Sequence, residues 1–370
     1  MEKKAYSDIS DFFDEKSHVR SAFTFEDGDF SDKNRMSDPI FKSIGYPSKI
    51  YYKNIQKYIT SYTEEGGTVL DTCAGSGSTG IAALLKGRRA VLMDDSPLAV
   101  NMEYNLVNYV DLKLLEKEYK KLVKELTPII NGIYYTKMSN GSDGYADVII
   151  ASNVYTCPDC GKEIVLYKND TGKRSEYKCP ECGKIINIAD NAIKALQVDK
   201  RRPIEVTVIL WSPVEQIVYN RAYPRVGGWP GFAIDATVSD LFPKNNLIAL
   251  KILNHYIETK IENEDIGSFL KFIFLETLFR TSSRLFTGSG IKNVYHIPPM
   301  GKEQNVMTVF NRKYKAISKA KAFLQDQLNE EQTRTDIRII RGDAKKTTIP
   351  DNSIDYAFIA PPYGGMVPYA

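Results

Sequence analysis

The sequence predicts an α/β fold, because short apolar segments alternate with segments of helical periodicity over residues 46–110 and two apolar segments recur near residues 336–359. A glycine-rich turn directly follows the first apolar segment, as expected where a strand enters a helix. Hydrophobic residues form 43% of the 370 residues and charged residues 26%. These are ordinary values for a chain that buries a core, so we expect one large or two to three ordinary domains.

The elements follow from this alternation and from the spacing of apolar residues within each segment. We predict strands where apolar residues run continuously and helices where they recur every three to four positions. The predicted strands are Thr68–Asp71, Arg89–Met93, Ile204–Leu210, Asp336–Ile340 and Ile354–Ile359. The predicted helices are Gly75–Lys86, Leu112–Leu126, Asn246–Ile261, Ile266–Phe286 and Asn311–Leu328.

Composition excludes several classes of protein. No stretch approaches 18 uncharged apolar residues and the first residues lack an apolar core, so we expect a cytoplasmic protein without a membrane partner. The net charge of +3 is too small to indicate a nucleic-acid partner by itself. Four of the five cysteines form two tight pairs, which favours a metal site in a reducing compartment over disulfides.

The glycine turn predicts a nucleotide-type cofactor. Gly75, Gly77 and Gly80 have the spacing G-x-G-x-x-G, and Asp94 ends the next apolar segment, where an acid can accept hydrogen bonds from ribose hydroxyls. A dinucleotide is one interpretation. Asp71 argues against it, because a carboxylate at the mouth of the turn repels a pyrophosphate but attracts an ammonium group. S-adenosylmethionine therefore fits better than NAD.

The segment after the last predicted strand reads Ala360-Pro361-Pro362-Tyr363. Two prolines stiffen the backbone so that a carbonyl points in one direction, and Tyr363 offers a face on which an extruded base can stack. An exocyclic amine is a poor nucleophile until an acceptor withdraws a proton or polarises the N–H bond. Alone, this segment is better interpreted as a Pro-Pro turn after a core strand. After a cofactor site we expect a loop that holds a base, and Ala360 has no side-chain acceptor with which to activate it.

Four segments together resemble amino-group DNA methyltransferases. Asp71–Gly77 is similar to their Asp-Pro-Phe-Ala-Gly-Ser-Gly signature, with Thr72 and Cys73 replacing Pro and Phe. Tyr46-Pro-Ser-Lys49, Met93–Pro97 and Arg341–Ala344 resemble the segments that cover the methionine end, bind the ribose and contact the adenine. The resemblance implies a cofactor site made by Tyr46, Pro47, Lys49, Asp71, Thr72, Cys73, Ala74, Gly75, Ser76, Gly77, Asp94, Asp95, Ser96, Asp343 and Ala344. It implies a catalytic loop made by Ala360, Pro361, Pro362 and Tyr363.

The same resemblance implies a function. Family members place Asp, Asn or Ser before Pro-Pro-Tyr, methylate adenine N6 or cytosine N4 of double-stranded DNA, and often serve DNA modification or phage defence. Adenine N6 is our first expectation and cytosine N4 the runner-up. With Ala360 we expect little or no transfer, either because an Asp was engineered to Ala or because the protein is naturally inactive. The rivals are a non-catalytic DNA-binding subunit and an RNA methyltransferase.

The cysteine pairs predict a structural zinc ribbon. Cys157, Cys160, Cys179 and Cys182 follow the pattern C-x₂-C-x₁₈-C-x₂-C, and a glycine follows each pair. Glycine permits the tight knuckle that turns two thiolates toward one ion, and four thiolates leave no open position for chemistry. A redox role is the alternative. We therefore expect Zn²⁺ to organise a small module.

These motifs divide the chain into an N-terminal arm, two parts of one Rossmann-like methyltransferase domain, and an insert between them. The insert holds the zinc ribbon and a mixed α+β recognition region. Its loop Arg221–Phe232 interleaves basic and aromatic residues, a pattern that fits a packed Ω-loop or a loop that enters a DNA groove. Because such sheets add strands after the catalytic loop, we expect a second polypeptide or a missing C-terminal segment to complete the sheet. We expect the N-terminal arm at 1–45, the cofactor-binding half of the methyltransferase domain at 46–150 and the zinc ribbon at 151–195. The recognition region follows at 196–330, and the catalytic-loop part of the methyltransferase domain at 331–370.

Overall fold

A computed structural model shows a mixed α/β protein built on a parallel sheet. It describes residues 12–13, 18–19, 33–46, 49–137, 141–152, 154–173, 176–187, 195–196, 238–282, 285–286, 290–291 and 300–361. The predicted strand Ile204–Leu210 and the basic loop Arg221–Phe232 lie outside the described residues.

The helices of the described residues range from short turns to long amphipathic elements. They are α1 (Pro39–Ser43), α2 (Tyr52–Tyr62), α3 (Ser78–Leu84), α4 (Pro97–Val107), α5 (Leu112–Ile133), α6 (Lys244–Lys260), α7 (Glu264–Thr281), α8 (Val306–Gln327) and α9 (Glu330–Thr335). The strands are β1 (Thr68–Asp71), β2 (Arg89–Asp94), β3 (Tyr135–Lys137), β4 (Asp143–Tyr145), β5 (Val148–Ser152), β6 (Val154–Thr156), β7 (Glu163–Val165), β8 (Glu176–Lys178), β9 (Ile185–Asn187), β10 (Ala195–Leu196), β11 (Leu285–Phe286), β12 (Gly290–Ile291), β13 (Met300–Gln304), β14 (Ile337–Arg341) and β15 (Tyr356–Ala357).

The central sheet has the strand order β14-β2-β1-β15, and every pair in it is parallel. Three of these strands bury apolar side chains, among them Val69, Val91 and Ile339. Helix α3 packs closely on the sheet, since a Cβ on Gly80 would lie 2.8 Å from Leu92 Cδ1. A parallel register brings the carboxyl ends of all four strands to one edge of the sheet, which is where α/β proteins bind ligands.

The chain divides into two compact units. Unit 1 comprises residues 1–119, 262–276 and 312–370, and it contains the parallel sheet. Within it, α8 supports the end of α4: the buried Lys321 donates hydrogen bonds to the carbonyls of Asn105, Leu106 and Asn108. Burial lowers the pKa of Lys321 to about 7. The ammonium group thus satisfies carbonyls that the helix end leaves without partners.

Unit 2 comprises residues 120–261 and 277–311. Its described strands pair in antiparallel fashion, including the three-stranded sheet β10-β6-β7, and the pairing of β5 with β13 is the longest. A buried polar chain links its helices: Tyr134 donates to Asn246 at 2.7 Å, and Asn246 donates to the Thr281 carbonyl at 2.7 Å. In the described part of the chain, no helix is both long enough and apolar enough to span a bilayer.

The element predictions hold best for the central sheet. The predicted strands at 68–71 and 89–93 match β1 and β2, while β15 is shorter than predicted, covering Tyr356–Ala357. The helix predicted from Gly75 begins at Ser78, because Gly75 and Gly77 take positive φ angles of 52° and 72°. The helix predicted through Phe286 was wrong at its end, since α7 stops at Thr281 and Phe286 belongs to β11.

Candidate functional site

Four residues that the sequence singled out lie at the carboxyl ends of four neighbouring strands. Asp71 ends β1, Asp94 ends β2, Asp343 follows β14 and Ala360 follows β15. Since the strand order is β14-β2-β1-β15, the residues follow the order Asp343, Asp94, Asp71 and Ala360 along one edge of the sheet. Three carboxylates and the beginning of the Pro-Pro-Tyr loop thus lie in one row.

A cavity of about 270 Å³ opens at this edge, close to the lower end of the ~300–1,000 Å³ typical of small-molecule sites. Its lining residues come from both ends of the sequence. They are Tyr46, Lys49, Ile50, Ile55, Asp71, Thr72, Cys73, Ala74, Gly75, Ser76, Ser78, Thr79, Asp94, Asp95, Ser96, Gly342, Asp343, Ala344, Phe358, Ala360 and Pro361. Of the site residues predicted from the sequence, Gly77 is described but does not line the cavity, and Pro47, Pro362 and Tyr363 lie outside the described residues.

Asp71 holds the start of the glycine turn by accepting hydrogen bonds from two residues that follow it. Its carboxylate accepts hydrogen bonds from the Thr79 hydroxyl at 2.6 Å and from the Cys73 backbone N–H at 3.0 Å. Burial raises the pKa of Asp71 to about 6, the two hydrogen bonds oppose that rise, and the charge of Asp94 adds to it. The side chain is only 3% exposed, so its charge acts in a medium where electrostatic interactions are strong.

Asp94 holds the other side of the same turn. Its Oδ2 accepts the Gly75 N–H at 2.9 Å, and its Oδ1 accepts the Ser96 N–H at 2.9 Å. Ser96 in turn caps α4 by accepting the Ala99 N–H. Asp94 remains partly exposed in the cavity wall, and a carboxylate has about four lone-pair sites. It therefore keeps acceptor capacity for a ligand hydroxyl.

Gly77 serves packing instead of lining the cavity. A Cβ at this position would lie 3.3 Å from the side chain of Glu103 on α4, and the φ angle of 72° already favours glycine. Sequence reasoning missed Glu103. Its side chain is 0% exposed, and among the described residues neither carboxylate oxygen has a hydrogen-bond partner. Burial, together with the charges of Asp94 and Asp71, raises the pKa of Glu103 well above its ordinary value.

The opposite wall comes from the last two strands of the sheet. Asp343 Oδ1 accepts the Lys345 N–H at 2.9 Å, which shapes the turn after β14. Phe358 donates its backbone N–H to the Leu70 carbonyl at 2.9 Å, extending the pairing of β15 with β1 toward the cavity. Ala360 and Pro361 are exposed at the cavity edge. The methyl group of Ala360 offers no hydrogen-bonding atom there.

A segment that contains α1 and reaches the first residue of α2, residues 38–46 and 49–52, borders the glycine turn; we call it the strap. Asp38 caps α1, accepting the Ile40 and Phe41 N–H groups at 3.0 Å each, and it also accepts the hydroxyls of Tyr51 and Tyr52. Lys49 donates to the Phe41 carbonyl. These bonds tie the strap to itself.

Tyr46 and Lys49 bring the strap to the cavity. A Cβ on Gly75 would lie 2.7 Å from Tyr46 Cε1, so the tyrosine ring rests directly against the glycine turn. Lys49 lies 4.3 Å from the centre of the Phe41 ring. Burial and the charge of Lys313 lower the pKa of Lys49 to about 8, and the charge of Glu276 opposes this fall.

The four paired cysteines come together in unit 2. Their sulfur atoms lie within 4.8 Å of one another, and the pairs Cys157–Cys182 and Cys160–Cys179 are 3.6 Å apart. Thiolates bound at 2.3 Å to a tetrahedral ion are about 3.8 Å apart, so the spacing is compatible with a zinc site. Gly161 and Gly183 take positive φ angles and donate to the carbonyls of the first cysteine of each pair, as a knuckle requires.

Comparison with known proteins found a family model that matches part of the chain. Residues 3–105 match the N6_N4_Mtase family model, described as a DNA methylase. The match supports an amino-group DNA methyltransferase. It covers the strap, the glycine turn and Asp94, and S-adenosylmethionine and DNA are the cofactor and substrate expected with it. The curated proteins gave no match, and neither did the solved structures.

Proposed function

We propose that the protein is an S-adenosylmethionine-dependent DNA methyltransferase directed at adenine N6, serving DNA modification or phage defence. The observation that supports this best is the row of strand ends. Asp343, Asp94 and Asp71 follow one another beside Ala360, in the order expected for adenine, ribose, methionine and target base. The observed strand order joins segments that lie more than 240 residues apart in sequence.

The cavity walls suit a cationic nucleoside. S-adenosylmethionine supplies an electrophilic methyl group on a sulfonium centre. In the proposed site Asp94 accepts the ribose hydroxyls, Asp71 provides negative charge for the ammonium group, and Asp343 accepts from the adenine amine. The glycine turn leaves room for close backbone approach, because Gly75 has φ +52° and no side chain. A pyrophosphate would face Asp71, so a dinucleotide suits these walls less well.

The catalytic loop holds the target but does not activate it. A carboxylate or amide at position 360 would accept an N–H of the target amine, and Ala360 removes that acceptor. Losing one oriented electrostatic partner typically costs about 10²–10³ in rate. We therefore propose that the chain binds cofactor and DNA but transfers methyl groups at background rates. Cytosine N4 is the alternative target, because the Pro-Pro-Tyr loop serves both amines.

The cysteine cluster has a structural role in this proposal. Cys157, Cys160, Cys179 and Cys182 hold one Zn²⁺ with four thiolates, which leaves no position for substrate. A small core of Tyr155, Ile164, Leu166, Tyr177 and Ile186 surrounds the two buried cysteines. Seven buried side chains are few for an independent module, so the metal supplies much of its stability.

Ala360 also favours a second candidate, a DNA-binding subunit that uses the cofactor pocket without catalysis. Restoring the acceptor separates the two. Ala360→Asp should transfer tritium from labelled S-adenosylmethionine to duplex DNA at a rate at least about 100-fold above the parent chain. Digested DNA then identifies N6-methyladenine or N4-methylcytosine by mass spectrometry, and competition between duplex DNA and RNA for binding tests the RNA rival.

The matched controls are Ala360→Asn, which retains an acceptor oxygen, and Ala360→Val, which has none. Because Ala360 is exposed, neither change disturbs a packed core. Calorimetry with S-adenosylhomocysteine first establishes that the cofactor site is occupied. Heat of binding without transfer by either Ala360→Asp or Ala360→Asn would favour the non-catalytic subunit, and absence of any binding would remove the cofactor assignment itself.

A further inference from the structure

A largely buried ion pair connects the strap to two distant helices. Glu276 on α7 and Lys313 on α8 approach to 2.6 Å, with side chains only 6% and 17% exposed. The Glu276 carboxylate also accepts the Gly45 N–H, its two oxygens lying 3.0 and 3.3 Å from the nitrogen. Lys313 donates in addition to the Ser43 carbonyl at 3.3 Å. Both partners therefore bind strap backbone as well as each other.

The pair acts one residue away from the cavity. Gly45 precedes Tyr46, whose ring lies against Gly75, and a Cβ built on Gly45 would come 3.4 Å from Glu276 Oε2. A fixed backbone at Gly45 restricts where this ring can lie, because Tyr46 is the next residue along the chain. The charges of Glu276 and Lys313 also reach Lys49, which lines the same cavity.

Stability alone accounts poorly for such a pair. Removing two charges from water offsets most of their attraction, so a buried ion pair adds little net stability, while fixing geometry is a role that some buried pairs fulfil. Glu276 lies 231 residues beyond Gly45, and both ion-pair residues fall outside the family match at residues 3–105. The family match therefore does not include the two residues that hold the strap backbone.

We propose that Glu276 and Lys313 are positioning residues of the cofactor site, which hold Tyr46 against the glycine turn and so set affinity for the nucleoside sulfonium. This inference rests on the proposed function. Neither residue lines the cavity, so both act through the strap backbone. Loss of either partner leaves the other charge buried and the strap less constrained, and the strap then opens more often.

Two readouts test this. The first is the dissociation constant for S-adenosylhomocysteine, measured by calorimetry. The second is the alkylation rate of Cys73, followed by mass spectrometry of its peptide. Cys73 lines the cavity and is the one cysteine of the five outside the paired cluster, so its rate reports access to the glycine turn without requiring any ligand.

Glu276→Ala and Lys313→Met should each weaken binding at least about tenfold, because each removes a hydrogen bond between a charged group and the strap backbone. Both should raise the Cys73 rate by a similar factor. Glu276→Gln keeps an acceptor for Gly45 and Lys313→Arg keeps the charge, so these conservative variants should recover most of the loss. Glu330→Gln is the matched control, since it removes an exposed ion pair on α9 and should change neither readout.

The outcomes distinguish failure of the positioning role from failure of the proposed function. If Cys73 alkylation and ligand affinity stay within twofold of the parent in Glu276→Ala and Lys313→Met, the positioning role is wrong. Should either of these variants fail to fold, Glu276→Gln and Lys313→Arg are compared with the charge-exchanged double variant Glu276→Lys/Lys313→Glu. Equal ligand affinity and equal Cys73 alkylation rates in all three would refute the role. If the parent chain binds no ligand, the proposed function fails while the Cys73 rates still decide whether the pair holds the strap.

Discussion

The Thr79 hydroxyl donates a 2.6 Å hydrogen bond to Asp71, joining the first turn of α3 to the end of β1. This contact opposes the burial that raises the pKa of Asp71 to about 6. Asp71 therefore changes charge within a range accessible to binding experiments. A cationic ligand prefers the ionised form, so affinity should depend on this titration.

We predict that affinity for S-adenosylmethionine rises as the pH increases from 5 to 7, by about tenfold or less for a single titrating carboxyl. Asp71→Asn should abolish this rise and bind weakly throughout. Thr79→Val removes a bond that lowers the pKa, so its midpoint should move to higher pH. Calorimetry at several pH values measures the affinity of the parent and of both variants. If the midpoint is unchanged in Thr79→Val, titration of Asp71 is not the cause of the pH dependence.

The contact between Tyr46 and Gly75 predicts the result of adding one methyl group. In Gly75→Ala the new Cβ would lie 2.7 Å from the tyrosine ring, and φ +52° is strained for alanine. We expect ligand affinity to fall at least about tenfold, an effect that Tyr46→Ala should relieve only in part, because the strain remains. Gly132→Ala is the control: nothing lies within 4 Å of its Cβ, so calorimetry should find affinity unchanged.

The cysteine cluster predicts one bound zinc ion per chain. Elemental analysis should find this ion in the purified protein, and Cys179→Ser should lose it and expose unit 2 to proteolysis. Cys73→Ser, which changes a cysteine outside the cluster, should retain the metal. Because the cluster has no open position, S-adenosylhomocysteine should bind Cys179→Ser within about threefold of the parent. A metal-free parent protein would refute the zinc assignment.

Replacing Glu103 by glutamine should stabilise the folded protein by an amount that depends on pH. Burial raises its pKa in the folded chain, so the folded state binds a proton that the unfolded state releases above its ordinary pKa of 4.5. Stability contributed by this group is therefore lost as the pH rises from about 4.5 toward the folded pKa. Glu103→Gln cannot ionise and should be more stable at pH 7 by about 1–3 kcal/mol, with a smaller difference at pH 5.

Urea denaturation at the two pH values measures this difference. Glu125→Gln on α5 provides the matched control, because Glu125 is exposed and its replacement should change stability by less than about 0.5 kcal/mol. Equal effects of Glu103→Gln at pH 5 and pH 7 would contradict the assignment of an uncharged buried carboxyl.

Local pattern predicted the central strands, whereas most residues that line the cavity were singled out by resemblance to a family. The strands β1 and β2 were readable because continuous apolar runs end at acids followed by glycine or serine turns. The end of α5 was not, since the chain passes through Pro128 and continues to Ile133. A proline costs a helix one hydrogen bond, which neighbouring packing evidently offsets here.

Long-range contacts could not be predicted in the same way. Glu276 lies in a helix whose apolar residues surround it, and nothing near it in sequence indicates a partner at Gly45. Glu103 likewise resembles any acid on an exposed helix face until the fold places it under Gly77. Both contacts form between segments that are separated in sequence, and no pattern near either glutamate indicates its partner.

The strand order of the sheet has a consequence for how the protein matures during synthesis. Because β14 and β15 flank β2 and β1, the ribosome must synthesise residues 337–357 before the cavity has its second wall. A proteolytic fragment ending after α4 would retain the glycine turn yet lack Asp343 and Phe358. The cavity is therefore complete only after both of these distant segments of the chain have been synthesised and paired.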